Sequence, residues 1–395
     1  MRPNAPTTVQ LIGRAFGRHP VAMAIAYTVL GAAPLFLFSA YAVRIGDELG
    51  FGTGELGIAV AAFFLAAAVA ASLLGPTVDR LGAPLALLGS ALSTSAAALI
   101  VAGLATRWQT IAAGLAVAGL ANTFAQLGGN RIVAARPRVG LSFAAKQSAV
   151  PFGSLAAGLL ISTLAPTAAW RSSFIAIAVL GGLAAVVAAS LAPDRSDRVA
   201  SKVSKRARPQ LVALAIAGGM GGAAGNALAT LLVDALATAG TSESEATRLL
   251  AIASALTIAS RLALGWSLDV RQSSGYTDLT LLLAAGAVSL ATLATAGSNK
   301  PVMTLAVVVG FASVWGWPAV IYYVAANNNP AAPATVTGYV LAGVYAGSIL
   351  GPALVAYVAE QRSYSTAWMV AAAIAAIGAV SAHISRTYWK RSATY

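Results

Sequence analysis

Arg261 stands inside an apolar stretch, residues 247–268, where a guanidinium is costly unless something answers its charge. Helical rise places it about 5 Å to the inner side of the middle of that stretch. The carboxylates within reach are poor partners. Asp234 lies on the order of 20 Å away in height, and Asp269 sits eight residues along the same helix, about 12 Å off. A fork of N–H donors with no carboxylate opposite it can hold an anionic substrate by a bidentate contact. The competing reading bonds those donors to backbone carbonyls or to Asn226. Lys146, about 9 Å below the middle of its own stretch, would add a second positive charge or snorkel to the interface. Asn122, Gln126 and Asn130 recur at i, i+4 and i+8, one polar stripe fit to orient a substrate or to bond a neighbouring helix. Phe38 and Tyr41, and Trp315 and Tyr322, are aromatic pairs at helical spacing that serve equally as ligand contacts or as packing. Asp234 is the one carboxylate within a span that could carry a coupled proton, and it lies near a span end.

Other chemistries are excluded by what the chain lacks. There is no Cys and there are two His, His19 and His383, so neither a thiolate metal site nor a His cluster can form. No nucleophile–base constellation or phosphate loop appears, so the chain reads as neither an enzyme nor a cofactor binder. Of its 395 residues 58% are hydrophobic and 9% charged, against about 25% charged in soluble domains. Mean hydropathy is +0.78, too apolar for a surface wetted on all sides. The net charge of +13 sits between long apolar runs without an amphipathic stripe, which argues against a nucleic-acid partner.

The elements that must position these residues are therefore membrane helices. A bilayer core of about 30 Å needs roughly 20 apolar residues. Stretches of that length fall at residues 21–43, 55–75, 84–104, 109–133, 141–163, 172–192, 211–238, 247–268, 277–296, 301–325, 337–358 and 366–385. The expected fold is an all-α integral membrane protein, twelve transmembrane helices in two six-helix bundles, 1–192 and 210–395. The polar stretch 193–209 would join them as a cytoplasmic linker near anionic headgroups. Flanking Lys and Arg number sixteen on one side and six on the other, which puts both termini in the cytoplasm.

The halves echo one another. Gly75-Pro-Thr-Val-Asp79-Arg80-Leu-Gly82 follows the second span and Gly265-Trp-Ser-Leu-Asp269-Val-Arg271 the eighth, 190 positions later. Gly153-Ser154-Leu155 and Gly347-Ser348-Ile349 repeat at 194. Two echoes at nearly one offset point to duplicated halves. Asp79 and Asp269 would accept N–H groups from a neighbouring helix start, as a gate, or merely cap their own helix ends.

These residues resemble the major facilitator superfamily, whose loop signature between spans two and three is matched by Gly75, Asp79, Arg80 and Gly82. Ala83 and Pro84 replace its closing basic pair, which puts the strength of the gate in doubt. Lys146-Gln147-Ser148-Ala149-Val150-Pro151, Trp315-Gly316-Trp317-Pro318 and Thr337-Gly338 look like a bacterial branch near the cyanate and nitroimidazole transporters. The resemblance implies alternating access, a cavity lined by helices one, four, seven and ten, and a fifth helix beside the eighth. The oxalate/formate and monocarboxylate branches also place a substrate-binding Arg in the eighth helix.

In the eleventh span Gly338, Gly347 and Gly351-Pro352 resemble the antiporter motif, but in the other half of the chain and without its closing Gly pair. Gly343, Gly347 and Gly351 share a face on which two helix backbones can approach closely. Gly218, Gly219, Gly221, Gly222 and Gly225 loosen the seventh span. Together these features point to a monomeric facilitator in the bacterial inner membrane that moves a small organic anion. Arg261 would hold the charge, Lys146 assist, and Asn122 and Gln126 orient the cargo. An exporter of apolar or cationic drugs, and a non-transporting membrane sensor, are the alternatives.

Overall fold

The computed structural model describes residues 19–164, 169–191, 203–204 and 207–393. Most of the linker expected over 193–209, and Arg2, Arg14 and Arg18, lie outside them, as do the side chains of Ser154 and Leu155. Every regular element among the described residues is helical. The first six are α1 (Pro20–Leu49), α2 (Thr53–Leu81), α3 (Ala83–Leu99), α4 (Trp108–Ala134), α5 (Val139–Leu164) and α6 (Trp170–Ser190). Then come α7 (Arg208–Thr238), α8 (Glu243–Arg271), α9 (Tyr276–Thr295), α10 (Lys300–Val314), α11 (Trp317–Asn327), α12 (Pro333–Gln361) and α13 (Tyr364–Ala393). A π turn over Ile100–Leu104 extends α3. Eleven segments, with α10 and α11 counted as one, are long and apolar enough to cross a membrane. The 26-residue α5 makes twelve.

Local chemistry sets the helix ends. Ser242 Oγ accepts from the Glu245 N–H at 3.3 Å while Glu245 reaches back to the Ser242 N–H, a reciprocal cap that starts α8. Asn299 caps α10, with Pro301 in its first turn. Gly82, at φ +89°, makes the left-handed step between α2 and α3. Pro318 divides the tenth span. Having no N–H, it cannot bond the Val314 carbonyl, and the chain turns through Trp315 and Gly316 before α11 begins.

The chain forms two compact units. The first comprises Met1–Arg136, Ala149–Ser201 and Ala331–Gly338; the second comprises Pro137–Ser148, Lys202–Pro330 and Tyr339–Tyr395. Each unit thus takes the opening turns of one helix whose remainder belongs to the other. In the first unit α4 packs on α1, α2 and α3, and α6 on α3 and α1. In the second, α13 packs on α9 and α7, and α10 on α9 and α8. Within their most apolar windows 72% of the residues of α4 and α7 are buried, against 28% in α2 and 22% in α8. The bare faces carry large apolar side chains, among them Leu65, Val69 and Leu73 on α2 and Trp266 and Val270 on α8. Water would not tolerate such faces, and a bilayer does.

Candidate functional site

The first Gly-x-x-x-Asp segment ends α2 inside the first unit. Asp79 is 1% exposed, and its carboxylate accepts four bonds. Ala334 N–H donates to Oδ1 at 3.0 Å, Thr335 N–H to Oδ2 at 2.7 Å, Thr335 Oγ1 to Oδ2 at 2.6 Å, and Arg131 Nη1 to Oδ1 at 3.2 Å. Ala334 and Thr335 are the second and third residues of α12, so Asp79 caps a helix 255 positions away. That helix has no acid of its own in its first turn. Four residues back, Gly75 lies against the same turn, where a Cβ would sit 2.7 Å from Thr335 Cα. Another turn back, the Ala71 carbonyl presses on Gly338.

The second copy does the same inside the second unit. Asp269 Oδ1 accepts from Gly140 N–H at 2.7 Å and Oδ2 from Leu141 N–H at 2.8 Å, the second and third residues of α5. Gly265 lies against that turn, with a Cβ there 2.5 Å from the Gly140 carbonyl oxygen and Ala144 Cβ. Between the two expectations for these acids, capping a neighbouring helix start and capping their own helix end, both halves show the first. Arg80 and Arg271, the basic residues of the two segments, stand exposed; Arg271 pairs with Asp278 at 2.6 Å.

Arg261 occupies the α8 position one turn above Gly265. It is 1% exposed, and among the described residues no carboxylate pairs with it. Its Nε and Nη2 donate to the Trp315 carbonyl at 2.8 and 2.6 Å, and Nη1 donates to the Gln147 carbonyl at 2.6 Å. Prolines make both acceptors available. Gln147 O would bond the N–H of residue 151, which is Pro151. Trp315 O lies in the break made by Pro318, where the Ala319 N–H bonds Gly316 instead. Of the partners weighed for Arg261, the carbonyls are the ones found: helix carbonyls hold three of its five N–H groups, and the Asn226 side chain bonds Gly222 and Ser348 instead. Carbonyls solvate the guanidinium but do not neutralise it.

Lys146, one residue before Gln147, is fully buried. Trp315 lies 5.9 Å beneath the Arg261 guanidinium, and its Nε1 donates to the Gly225 carbonyl at 2.8 Å. Tyr322, 3% exposed, interacts electrostatically with Arg261. The second unit thus brings Arg261, Lys146, Trp315 and Tyr322 into one neighbourhood. Asn226 belongs elsewhere: its Nδ2 bonds Ser348 Oγ and the Gly222 carbonyl, both at 2.9 Å, joining α7 to α12. In the first unit Asn122 and Gln126 are buried on α4, with Asn122 behind Gly31 of α1. Phe38 and Tyr41 pack in that unit's hydrophobic core, and the Tyr41 hydroxyl meets Ser173 Oγ at 2.9 Å. Their spacing marked a buried face, and that face is core. Asp234 is exposed.

Gly343, Gly347 and Gly351 lie opposite Ala215, Gly219 and Ala223, so the stripe seats α12 on α7 at backbone contact. Pro352 stays within α12. The α7 glycines take up neighbours on two faces while the helix runs unbroken. Gly219 and Gly222 meet α12, Gly221 and Gly225 meet Trp317 and Val314, and Gly218 lies between, against Val344 of α12 and Ile321. Arg131 was not singled out by sequence reasoning, although a further cation inside a span, near the depth of Asp79, was signal enough.

Paired helix clamps on a duplicated twelve-helix membrane scaffold define a secondary transporter. The chain belongs to the Major Facilitator Superfamily, whose family model matches residues 21–274. No curated protein matches it in sequence. Among solved structures it is similar to the human organic anion transporter MFSD10 (TETRAN), with 15% identity and a TM-score of 0.69 over 95% of this chain and 98% of that one. It is also similar to the E. coli fucose:proton symporter FucP, with 14% identity and a TM-score of 0.70 over 93% and 98%. A third, the proton:xylose symporter XylE, gives 14% and 0.71 over 93% and 95%. At these identities the likeness is one of fold.

Proposed function

We propose that this transporter moves a small organic anion across the bacterial inner membrane, with both termini in the cytoplasm and the halves 1–192 and 210–395 alternating access to the cargo. The observation that carries this reading is Arg261, buried and charged, solvated by two carbonyls and countered by no described carboxylate. Three of its N–H groups are engaged, which leaves one on each terminal nitrogen, the pair that a carboxylate can bridge. Lys146, buried one residue from Gln147, is the second basic side chain of this neighbourhood. Trp315 and Tyr322 frame the guanidinium with apolar surface, and Asn122 and Gln126 are the first unit's candidates for orienting a cargo's polar atoms. That one fold neighbour is an organic anion transporter is consistent with the class; sugar symporters share the fold equally.

A second reading, a neutral or cationic cargo, draws on the same Arg261 bonds: a guanidinium already satisfied by carbonyls can be purely structural. Thermal unfolding of the purified protein against a panel of small carboxylates, sugars and hydrophobic cations separates the two. The anion reading expects a carboxylate to raise the unfolding temperature of the wild-type protein and to lose that effect in Arg261→Gln. Stabilisation by sugars or cations alone would remove it.

A further inference from the structure

Arg261, Gly265 and Asp269 stand at i, i+4 and i+8 of α8, one face of one helix, and all three meet the opening turns of α5. Asp269 takes the N–H groups of Gly140 and Leu141, Gly265 admits the Gly140–Ala144 turn, and Arg261 takes the Gln147 carbonyl. The matching face of α2 carries Ala71, Gly75 and Asp79 against the opening turns of α12. Two of the three positions are the same in both copies. The third differs: Ala71 only touches Gly338, whereas Arg261 makes a charged hydrogen bond.

We propose that Arg261 is the substrate-sensitive third contact of the α8–α5 clamp, a positioning residue for α5 as well as an anchor for cargo. The link to cargo rests on the anion reading above. A carboxylate bridging the two terminal nitrogens shares Nη1 with the Gln147 carbonyl, the Arg261 bond that reaches α5. A bound anion is the stronger acceptor and draws the guanidinium away from Gln147 O. With that bond released, the hydrogen bonds described between α8 and α5 are those of Asp269 at the first turn of α5. An empty protein keeps the clamp shut, and a loaded one loosens it. Substrate binding would thereby bias the helix that must move, the differential contact that a ligand-driven change requires.

The natural absence of cysteine makes the test direct. Leu268 is fully buried with its Cβ against Gly140, so Leu268→Cys reports separation of α5 from α8 through its reaction with a water-soluble maleimide. The measurement is made on the full chain in lipid nanodiscs, with the carboxylate panel as probe. Adding Arg261→Gln should raise the labelling rate about tenfold, the loss of one charge-assisted bond. Arg261→Lys, which keeps the charge and reaches one carbonyl at a time, should fall between. A carboxylate that stabilises the protein should raise labelling in the Arg261 background and have no effect in Arg261→Gln. Unchanged labelling in both Arg261 variants would overturn the clamp role while leaving the anion reading intact. Raised labelling in the variants, with a stabilising carboxylate that leaves the Arg261 background unlabelled, would overturn the substrate link. If no carboxylate stabilises the protein at all, the anion reading has failed and the link falls with it.

Discussion

The two clamps do one job with different strength. Asp79 is buried, accepts four bonds and is countered by Arg131 at 3.2 Å. Asp269 is half-exposed, accepts two, and among the described residues pairs with no arginine. Around the second clamp the loop after α8 is tied instead by Tyr323, whose hydroxyl donates to the Ser273 carbonyl at 2.6 Å, and by Asn328, whose Nδ2 donates to the Ser274 carbonyl at 3.1 Å. One turn above the shared glycine the copies diverge again, Ala71 in the first and Arg261 in the second. A duplicated scaffold can therefore keep a robust clamp in one unit and leave its counterpart open to the cargo-sensitive role proposed above.

The difference is open to direct attack, and the largest effect is expected at Asp79. Asparagine keeps one acceptor but opposes an N–H donor to another. Asp79→Asn should lower transport on the order of 10- to 100-fold with expression intact, and Asp269→Asn by no more than about tenfold. Equal losses would mean that Arg131 and the Thr335 hydroxyl add nothing. Gly75→Ala and Gly265→Ala place a Cβ against helix backbone in both units. Each should cost about 1–3 kcal/mol, read as a lower unfolding temperature, and to a similar degree. A loss confined to one variant would show that only one clamp is closely packed. The smallest effect belongs to Pro151→Ala. It restores an N–H for Gln147 O, weakens the hold on Arg261 by roughly 0.5 kcal/mol, and should lower the half-saturating carboxylate concentration about twofold without touching the Asp79 clamp.

The repeated Gly-x-x-x-Asp pattern was legible because its spacing is local and occurs twice. Which helix each acid caps was not, since Ala334 and Gly140 lie 255 and 129 residues from their acids and offer only backbone N–H groups. The spans were legible from apolar length. The tenth, read as one, divides at Pro318, whose effect on its helix could have been foreseen. Arg261 was legible as a buried charge and backbone carbonyls as one answer to it, but which carbonyls was not, because those freed by proline leave no side-chain signature. Yet Pro151 and Pro318 both stood within the quoted motifs, four and three residues beyond Gln147 and Trp315. Phe38 and Tyr41 show the opposite limit. Aromatic spacing reports a buried face and cannot say whether core or cargo covers it.

Counterflow in proteoliposomes tests the central claim most directly. Vesicles loaded with one unlabelled carboxylate from the panel, diluted into the same labelled compound, should show uptake above protein-free vesicles for at least one of them. Uptake should fall to background with Arg261→Gln and persist in part with Arg261→Lys, which keeps the charge. Carboxylate uptake as fast in Arg261→Gln as in wild type, or none for any carboxylate while a sugar or hydrophobic cation exchanges, would contradict the account.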